Sequence, residues 1–216
     1  MTYFLRITLI TTLTMIGMLN TMAVEEAKYE VIKKDKKFEI RDYAAHLLAE
    51  TVVEGTMEDA GSKAFKRLFS YISGNNRSGN KVAMTAPVSQ ESKGQKIQMT
   101  VPVEQQRVKE SWVVSFMMPH SYTLETLPKP KDPKVTLRQV PARRMATIRY
   151  SGFWSEKRYL QHKIKLESWI RKMGLTVVSE PIWARYNPPF MPWFLRRNEI
   201  LIPIKTAGAK QEKPQE

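Results

Sequence analysis

The only imidazoles in the chain are His46, His120 and His162, and no two of them have the spacing of a His-Glu-x-x-His motif. A structural or catalytic zinc is therefore not expected. With no cysteine there is no thiol nucleophile, no disulfide and no site for a lipid on sulfur. The stretch Gly74-Asn75-Asn76-Arg77-Ser78-Gly79-Asn80-Lys81 has the glycines and lysine of a phosphate loop, but Asn80 separates Gly79 from Lys81 and the stretch follows a helical pattern instead of opening one. There is no Gly-x-Ser-x-Gly elbow and no dinucleotide fingerprint. What remains is the chemistry of contact. Met84 and Met99 are soft thioethers that either fill core gaps or form an apolar platform for a flat ligand. Phe190, Trp193 and Phe194 lie in a proline-dense stretch, as a ligand lid or as loop anchors. Arg196 and Arg197 can meet carboxylates or stay solvated, and Glu199 beside them is the one obvious acid for proton transfer. His162 falls on the apolar face of a helical pattern, as a core histidine or an iron ligand. His46 sits in an apolar strand whose register decides its face, and His120 follows Pro119 in a turn.

Two repeats indicate how these groups are positioned. The phrase Lys81-Val82-Ala83-Met84-Thr85-Ala86-Pro87-Val88-Ser89-Gln90 recurs as Lys96-Ile97-Gln98-Met99-Thr100-Val101-Pro102-Val103-Glu104-Gln105. It predicts two adjacent strands, at 82–88 and 97–103, with each proline near a strand exit. A longer repeat has a period of 97 residues: Phe38-Glu39-Ile40-Arg41 falls on Val135-Thr136-Leu137-Arg138, Ala45 on Ala142, Ala49 on Ala146 and Gly55 on Gly152. A helical pattern follows in each copy. The first helix is expected to be capped by Thr56, to bury Met57, Ala60, Ala64, Phe65, Leu68, Phe69 and Ile72, and to stop at Gly74. The second is expected to start near Ser155, to place Tyr159, His162, Leu166, Trp169, Ile170 and Met173 on one face, and to stop at Gly174. Further strands are expected at 112–118, 182–186 and 199–204. The fold class is thus α+β: a duplicated ββαββ-type unit forming a distorted antiparallel β-barrel flanked by two α-helices, with ligand space in the cleft between halves. The proline-rich stretch 123–133 is the linker between the halves.

The chain has 216 residues, 42% of them apolar, enough for one domain with a substantial core. Residues 1–23 read as a signal peptide: Arg6 precedes an uncharged run at 7–19, and Thr21-Met22-Ala23 supplies a small residue for cleavage. The run falls short of the roughly 20 apolar residues of a membrane span, and a retained anchor is the alternative. The mature domain is expected at 24–204 and a disordered polar tail at 205–216. The net charge is +14, of which the leader contributes only Arg6. Its basic residues are dispersed, which argues for a solvated surface with weak association to anionic membrane lipid and against nucleic acid. The location implied is periplasmic or secreted.

The phrases Lys81-Val82-Ala83-Met84-Thr85-Ala86-Pro87-Val88, Val114-Ser115-Phe116-Met117-Met118-Pro119 and Tyr186-Asn187-Pro188-Pro189-Phe190-Met191-Pro192-Trp193-Phe194-Leu195-Arg196-Arg197-Asn198-Glu199 resemble the SOUL haem-binding protein family over about residues 28–204. The resemblance implies a distorted barrel built from a duplicated unit, binding of haem or a related tetrapyrrole, and no catalytic residues. Haem-binding candidates on this chain are Met84, Met99, His162, His46, Phe190, Trp193, Phe194, Arg196 and Arg197, with the axial ligand unknown. Some animal members carry a His, a proposed iron ligand, where this chain has Asp42 in Glu39-Ile40-Arg41-Asp42-Tyr43. The expected partner is haem or a similar flat anionic ligand. The alternatives are a small-molecule hydrolase or effector-binding module of similar barrel fold, with Glu199 as its acid, or a basic envelope protein binding a membrane surface or a protein partner.

Overall fold

The computed structural model describes residues 24–77 and 94–205. Its strands are β1 (Tyr29–Asp35), β2 (Phe38–Tyr43), β3 (His46–Glu54), β4 (Asn76–Arg77), β5 (Val103–Val108), β6 (Ser111–Met117), β7 (Lys129–Pro130), β8 (Thr136–Val140), β9 (Arg143–Tyr150), β10 (Ile182–Arg185) and β11 (Asn198–Pro203). The helices are α1 (Met57–Ile72) and α2 (Glu156–Lys172). Nine strands form one antiparallel sheet in the order β1-β2-β9-β11-β10-β5-β6-β3-β8, curled into a half-barrel, and β4 pairs with β7 beside it. The fold is the α+β architecture that the 97-residue repeat implies.

That order is a palindrome of the repeat about the β10·β5 seam. The first repeat supplies β2, β3, β5 and β6; the second supplies β8, β9, β10 and β11. Yet β2 pairs with β9 of the second repeat, and β8 pairs with β3 of the first. Each half of the sheet therefore borrows its outer strand from the other repeat. Gly55 (φ +121°) and Gly152 (φ +132°), matched by the repeat, both turn the chain from strand to helix in a region closed to most side chains.

Both helix starts fall where the caps predict. Thr56 accepts from the Asp59 N–H and Ser155 from the Arg158 N–H, and Gly74 and Gly174 take positive φ just past the ends. α1 packs on β3 and β6, and α2 on β9 and β11. The residues of α1 that meet the sheet include Ala60, Gly61 and Ala64. Such small side chains seat the helix close to the strands, which leaves Phe65 and Phe69 on its flank, exposed instead of buried as the pattern suggested. They stack on each other at 5.8 Å, with Phe65 edge-on to Phe116.

A second departure concerns the repeated Met-Thr phrase. Its first copy, with Met84, lies outside the described residues. Its second copy is not a strand: residues 94–100 are irregular, Val101 makes a lone bridge to Glu26, and β5 begins only at Val103, after Pro102. Proline lacks the ladder N–H, so here it precedes the strand instead of ending it. The linker is held down as well, with Leu127 buried and the Tyr71 hydroxyl donating to the Pro128 carbonyl at 2.7 Å.

On the sheet face away from the helices lies a buried ionic cluster. Glu199 on β11 is 0% exposed and takes hydrogen bonds from Arg41 Nη1 (2.7 Å), Arg197 Nε (2.9 Å) and the Tyr186 hydroxyl (3.0 Å). Arg41 also reaches Glu39 and Tyr43, and Arg197 reaches Glu26 at 2.8 Å. Burial alone would raise the Glu199 pKa, but Arg41 and Arg197 outweigh it and hold the carboxyl below its ordinary value. A sealed, permanently ionised carboxylate cannot serve as a general acid, which removes Glu199 from the hydrolase alternative.

Two outcomes follow. Residues 24–130 and 131–216, expressed separately, will each lack a folded monomeric state by circular dichroism and size exclusion, because each loses the strand it borrows. Glu199→Gln will lower stability by about 3–5 kcal/mol in urea denaturation at neutral pH, since it removes the buried charge that Arg41 and Arg197 share and leaves Arg41 only Glu39. Because folding depresses this pKa, the stabilisation is complete above about 4.5 and is lost as pH falls through the folded value. The gap between wild type and variant will close below pH 4.5.

Candidate functional site

With α1 over β3·β6 and α2 over β9·β11, the central strands β10 and β5 lie at the bottom of the groove between the helices at the pseudo-twofold seam, with Trp183 and Gln105 covered by surrounding side chains. Trp183 and Arg185 on β10 and Gln105 on β5 belong to this floor. Gln105 Nε2 donates to the Met57 carbonyl (2.7 Å), and Arg185 Nη2 donates to Gln105 Oε1 (2.8 Å). The Arg185 guanidinium stands 4.8 Å from the Trp183 ring centre and 5.4 Å from that of Trp154, which in turn has Arg196 at 4.5 Å. Trp154 Nε1 donates to Asn198 Oδ1, and Asn198 donates to the Gly152 carbonyl. This column of aromatic rings and guanidinium groups joins the groove floor to the segment 186–197.

That segment is a braced loop with an apolar surface. Arg196 donates to the carbonyls of Met191 (2.7 Å) and Pro189 (2.6 Å), the Gly152 N–H donates to Trp193 O (3.0 Å), and Arg197 N–H donates to Asn187 Oδ1 (2.6 Å). Three residues, Trp193–Leu195, form a single 3₁₀ turn. Phe190 (84% exposed), Trp193 (48%) and Phe194 (58%) project outward, and Phe153 (56%) stacks on Trp193 at 5.4 Å. Trp193 and Phe194 meet edge to face. So large an exposed aromatic cluster, on a backbone fixed by hydrogen bonds, is a candidate contact surface.

The structure brings together Phe190, Trp193, Phe194 and Arg196 and separates the other candidates. Arg197 points to Glu199 and Glu26 on the helix-free face. Met99 is half-buried against the α1 core. His162 is half-buried on α2, with Nδ1 2.8 Å from the Arg158 carbonyl and its ring stacked on Tyr150 at 3.9 Å. Burial, aided by Lys165, Arg158 and Lys37, lowers its pKa against the opposing pull of that carbonyl. His46 lies where β3 begins, its Nδ1 on the Ala44 carbonyl, and lines a cavity of about 240 Å³ with Glu25, His120, Tyr122 and Glu125. That volume is below the ~300–1,000 Å³ of pockets for drug-sized ligands, and so too small for a porphyrin. Among the described residues no cluster of three His, Asp or Glu side chains is arranged for a metal ion. Asp42 is fixed by two 2.7 Å hydrogen bonds from Arg144, which lower its pKa.

Sequence reading missed Phe153, Trp154, Trp183, Arg185 and Gln105. Only Phe153 and Trp154 carried a signal, as bulky aromatics directly after the repeat-matched Gly152.

A family model described as SOUL heme-binding protein matches residues 24–203. Heme-binding protein 1 of Xenopus laevis is 26% identical over 182 residues, covering 82% of this chain and 90% of that protein. Heme-binding protein 1 of Mus musculus is 24% identical over 197 residues, covering 87% and 98%. Among solved structures, a hydrolase from Listeria innocua superposes with a TM-score of 0.53 at 12% identity, over 81% of this chain and 94% of its own. That likeness concerns the fold alone. With a duplicated strand-swapped sheet, two helices and a family match over nearly every described residue, the chain belongs to the SOUL heme-binding protein family.

Proposed function

We propose that this protein is an exported tetrapyrrole-binding protein that takes the porphyrin plane against the aromatic loop at the mouth of the groove between the helices. The observation that carries the reading is the cluster of Phe153, Phe190, Trp193 and Phe194, exposed yet held on a braced backbone. Flat aromatic faces suit a porphyrin plane, and the bonds from Arg196 to Met191 and Pro189 and from Gly152 to Trp193 hold them in place. Family membership and two relatives named heme-binding protein 1 support haem over other flat ligands. The residues fit the porphyrin better than they fit the iron. Asp42 is locked to Arg144, His46 lies at the small cavity, and the His162 ring is stacked on Tyr150. The binding proposed therefore rests on ring contacts and charge, with no axial imidazole.

Export is part of the proposal and rests on the leader pattern of residues 1–23, with a basic mature surface suited to weak contact with anionic lipid. Intact mass of protein recovered from the periplasm will begin at Val24; a mass retaining residues 1–23 in the membrane fraction would make the leader an anchor.

Haemin titration will give a saturable Soret shift. Trp193→Ala will weaken binding by about tenfold, in line with the ~1.4 kcal/mol expected from losing one large aromatic contact. Asp42→Ala and His162→Ala will leave the affinity and the band position within error. Absence of saturable binding in both oxidation states rules out haem, and a Soret band that moves in His162→Ala restores axial ligation.

A further inference from the structure

Four buried side-chain atoms lack a hydrogen-bond partner among the described residues: the Tyr150 hydroxyl, Arg158 Nε, Trp183 Nε1 and Arg185 Nε. All four can donate, and they belong to one neighbourhood. Tyr150 lies close enough to Trp183, Arg158 and Arg185 for each to favour its ionised form, although burial dominates and keeps the hydroxyl protonated. The Trp183 N–H approaches Tyr150 without closing a hydrogen bond of ordinary geometry. Buried donors are nearly always satisfied in folded proteins, so several unsatisfied ones together mark the place of an acceptor.

Arg185 is the centre of this group. The arginines of the opposite sheet face have carboxylates: Arg41 holds Glu199 and Glu39, and Arg197 holds Glu199 and Glu26. Arg185 has no salt bridge among the described residues, and its one side-chain hydrogen bond goes to the neutral Gln105. Burial lowers its pKa to about 10, with only a partial offset from Tyr150 and Glu58. Glu58 is otherwise engaged, its Oε1 accepting from the Glu156 N–H. A half-buried guanidinium whose Nε is shut off from water and has no counter-ion among the described residues calls for an anion. Room for the guanidinium itself is kept by a glycine: a methyl on Gly61 would stand 2.9 Å from Arg185 Nη2 and 3.1 Å from Gln105 Oε1. In a helix interior glycine is otherwise a poor choice, so its presence at this contact has a use.

We infer that Arg185, with Trp183 Nε1 and the Tyr150 hydroxyl, forms a receptor for one carboxylate of a flat ligand, at the floor of the groove and beside the Trp154 and Trp183 rings. This deepens the tetrapyrrole reading and rests on it for the carrier of the carboxylate, which in haem is a propionate. It also places that contact away from Arg196 and Arg197, whose guanidinium groups are taken by loop carbonyls and by Glu199 and Glu26.

The test compares haemin with its dimethyl ester on wild type, Arg185→Met and Gly61→Ala. Gly61→Ala retains the arginine and displaces it, in a helix that tolerates alanine, so it guards against a folding defect in Arg185→Met. Haemin should bind each variant at least tenfold more weakly than wild type, and the diester should bind all three proteins equally. Unchanged haemin affinity in both variants, or full-strength diester binding to wild type, overturns the inference while leaving haem binding in place. If neither compound binds wild type, the tetrapyrrole reading fails and the anion site is judged alone by the Arg185 Nε–H and Trp183 Nε1–H resonances during titration with sodium acetate and inorganic phosphate. Saturable shifts with acetate that vanish in Arg185→Met uphold the carboxylate receptor. No shift, or a larger one with phosphate, overturns it.

Discussion

The rest of the structure depends on one buried carboxylate. Glu199 has no water to solvate it, and an ionised carboxylate in that position is tolerable only because Arg41, Arg197 and Tyr186 all donate to it. Arg41 comes from β2 of the first repeat, and Glu199 and Arg197 come from the end of the second, 158 and 156 residues away in sequence. The cluster thus fastens the borrowed strand β2 to the far side of β9. It also fixes the end of the aromatic loop, since the Arg197 that binds Glu199 is the residue whose N–H closes onto Asn187. A loop clamped this way can present Phe190, Trp193 and Phe194 to solvent without folding them back onto the sheet.

The groove is a consequence of duplication. Two helices placed over β9·β11 and β6·β3 of an eight-strand palindrome leave the seam strands beneath neither of them, and side chains cover Gln105 and Trp183 instead. The seam face of β5 and β10 is therefore mixed: beside the buried Val103 and Trp183 it carries Gln105 and Arg185, where flanking strands carry Val114, Phe116, Ile200 and Ile202. Polar groups at the seam satisfy one another only in part. The unpaired donors around Tyr150 are what is left over.

Features encoded locally were legible in the sequence. Thr56 and Ser155 announced the helices, Gly55 and Gly152 the turns into them, and the 97-residue period the paired halves. The aromatic loop was legible because prolines and aromatics are adjacent in the chain. Features set by distant partners were not. β5 reads Val-Glu-Gln-Gln-Arg-Val, which has no apolar alternation, because Gln105 is buried against a carbonyl of α1 and a guanidinium of β10. The Met-Thr repeat suggested a hairpin that its second copy does not form, since matching residues do not imply matching hydrogen bonds. Phe65 and Phe69 were misplaced because the apolar period of α1 is wider than the face its small residues bring to the sheet. Glu199 drew attention as an acid beside Arg196 and Arg197; only the third dimension shows that Arg41 removes it from solvent.

Arg185 and Arg196 both stand within cation–π range of Trp154, one on the groove floor and one in the loop. Trp154 is itself held by Asn198, the neighbour of Glu199 on β11. The position of the loop and the position of the floor guanidinium are therefore not independent: moving either changes the contacts of the same indole. The opposing ends of a ligand spanning loop and groove would meet groups that share one anchor, and that anchor is tied to β11, a strand buried along its whole length. Such an arrangement limits the ordering that binding must still accomplish, which is one way a site gains affinity.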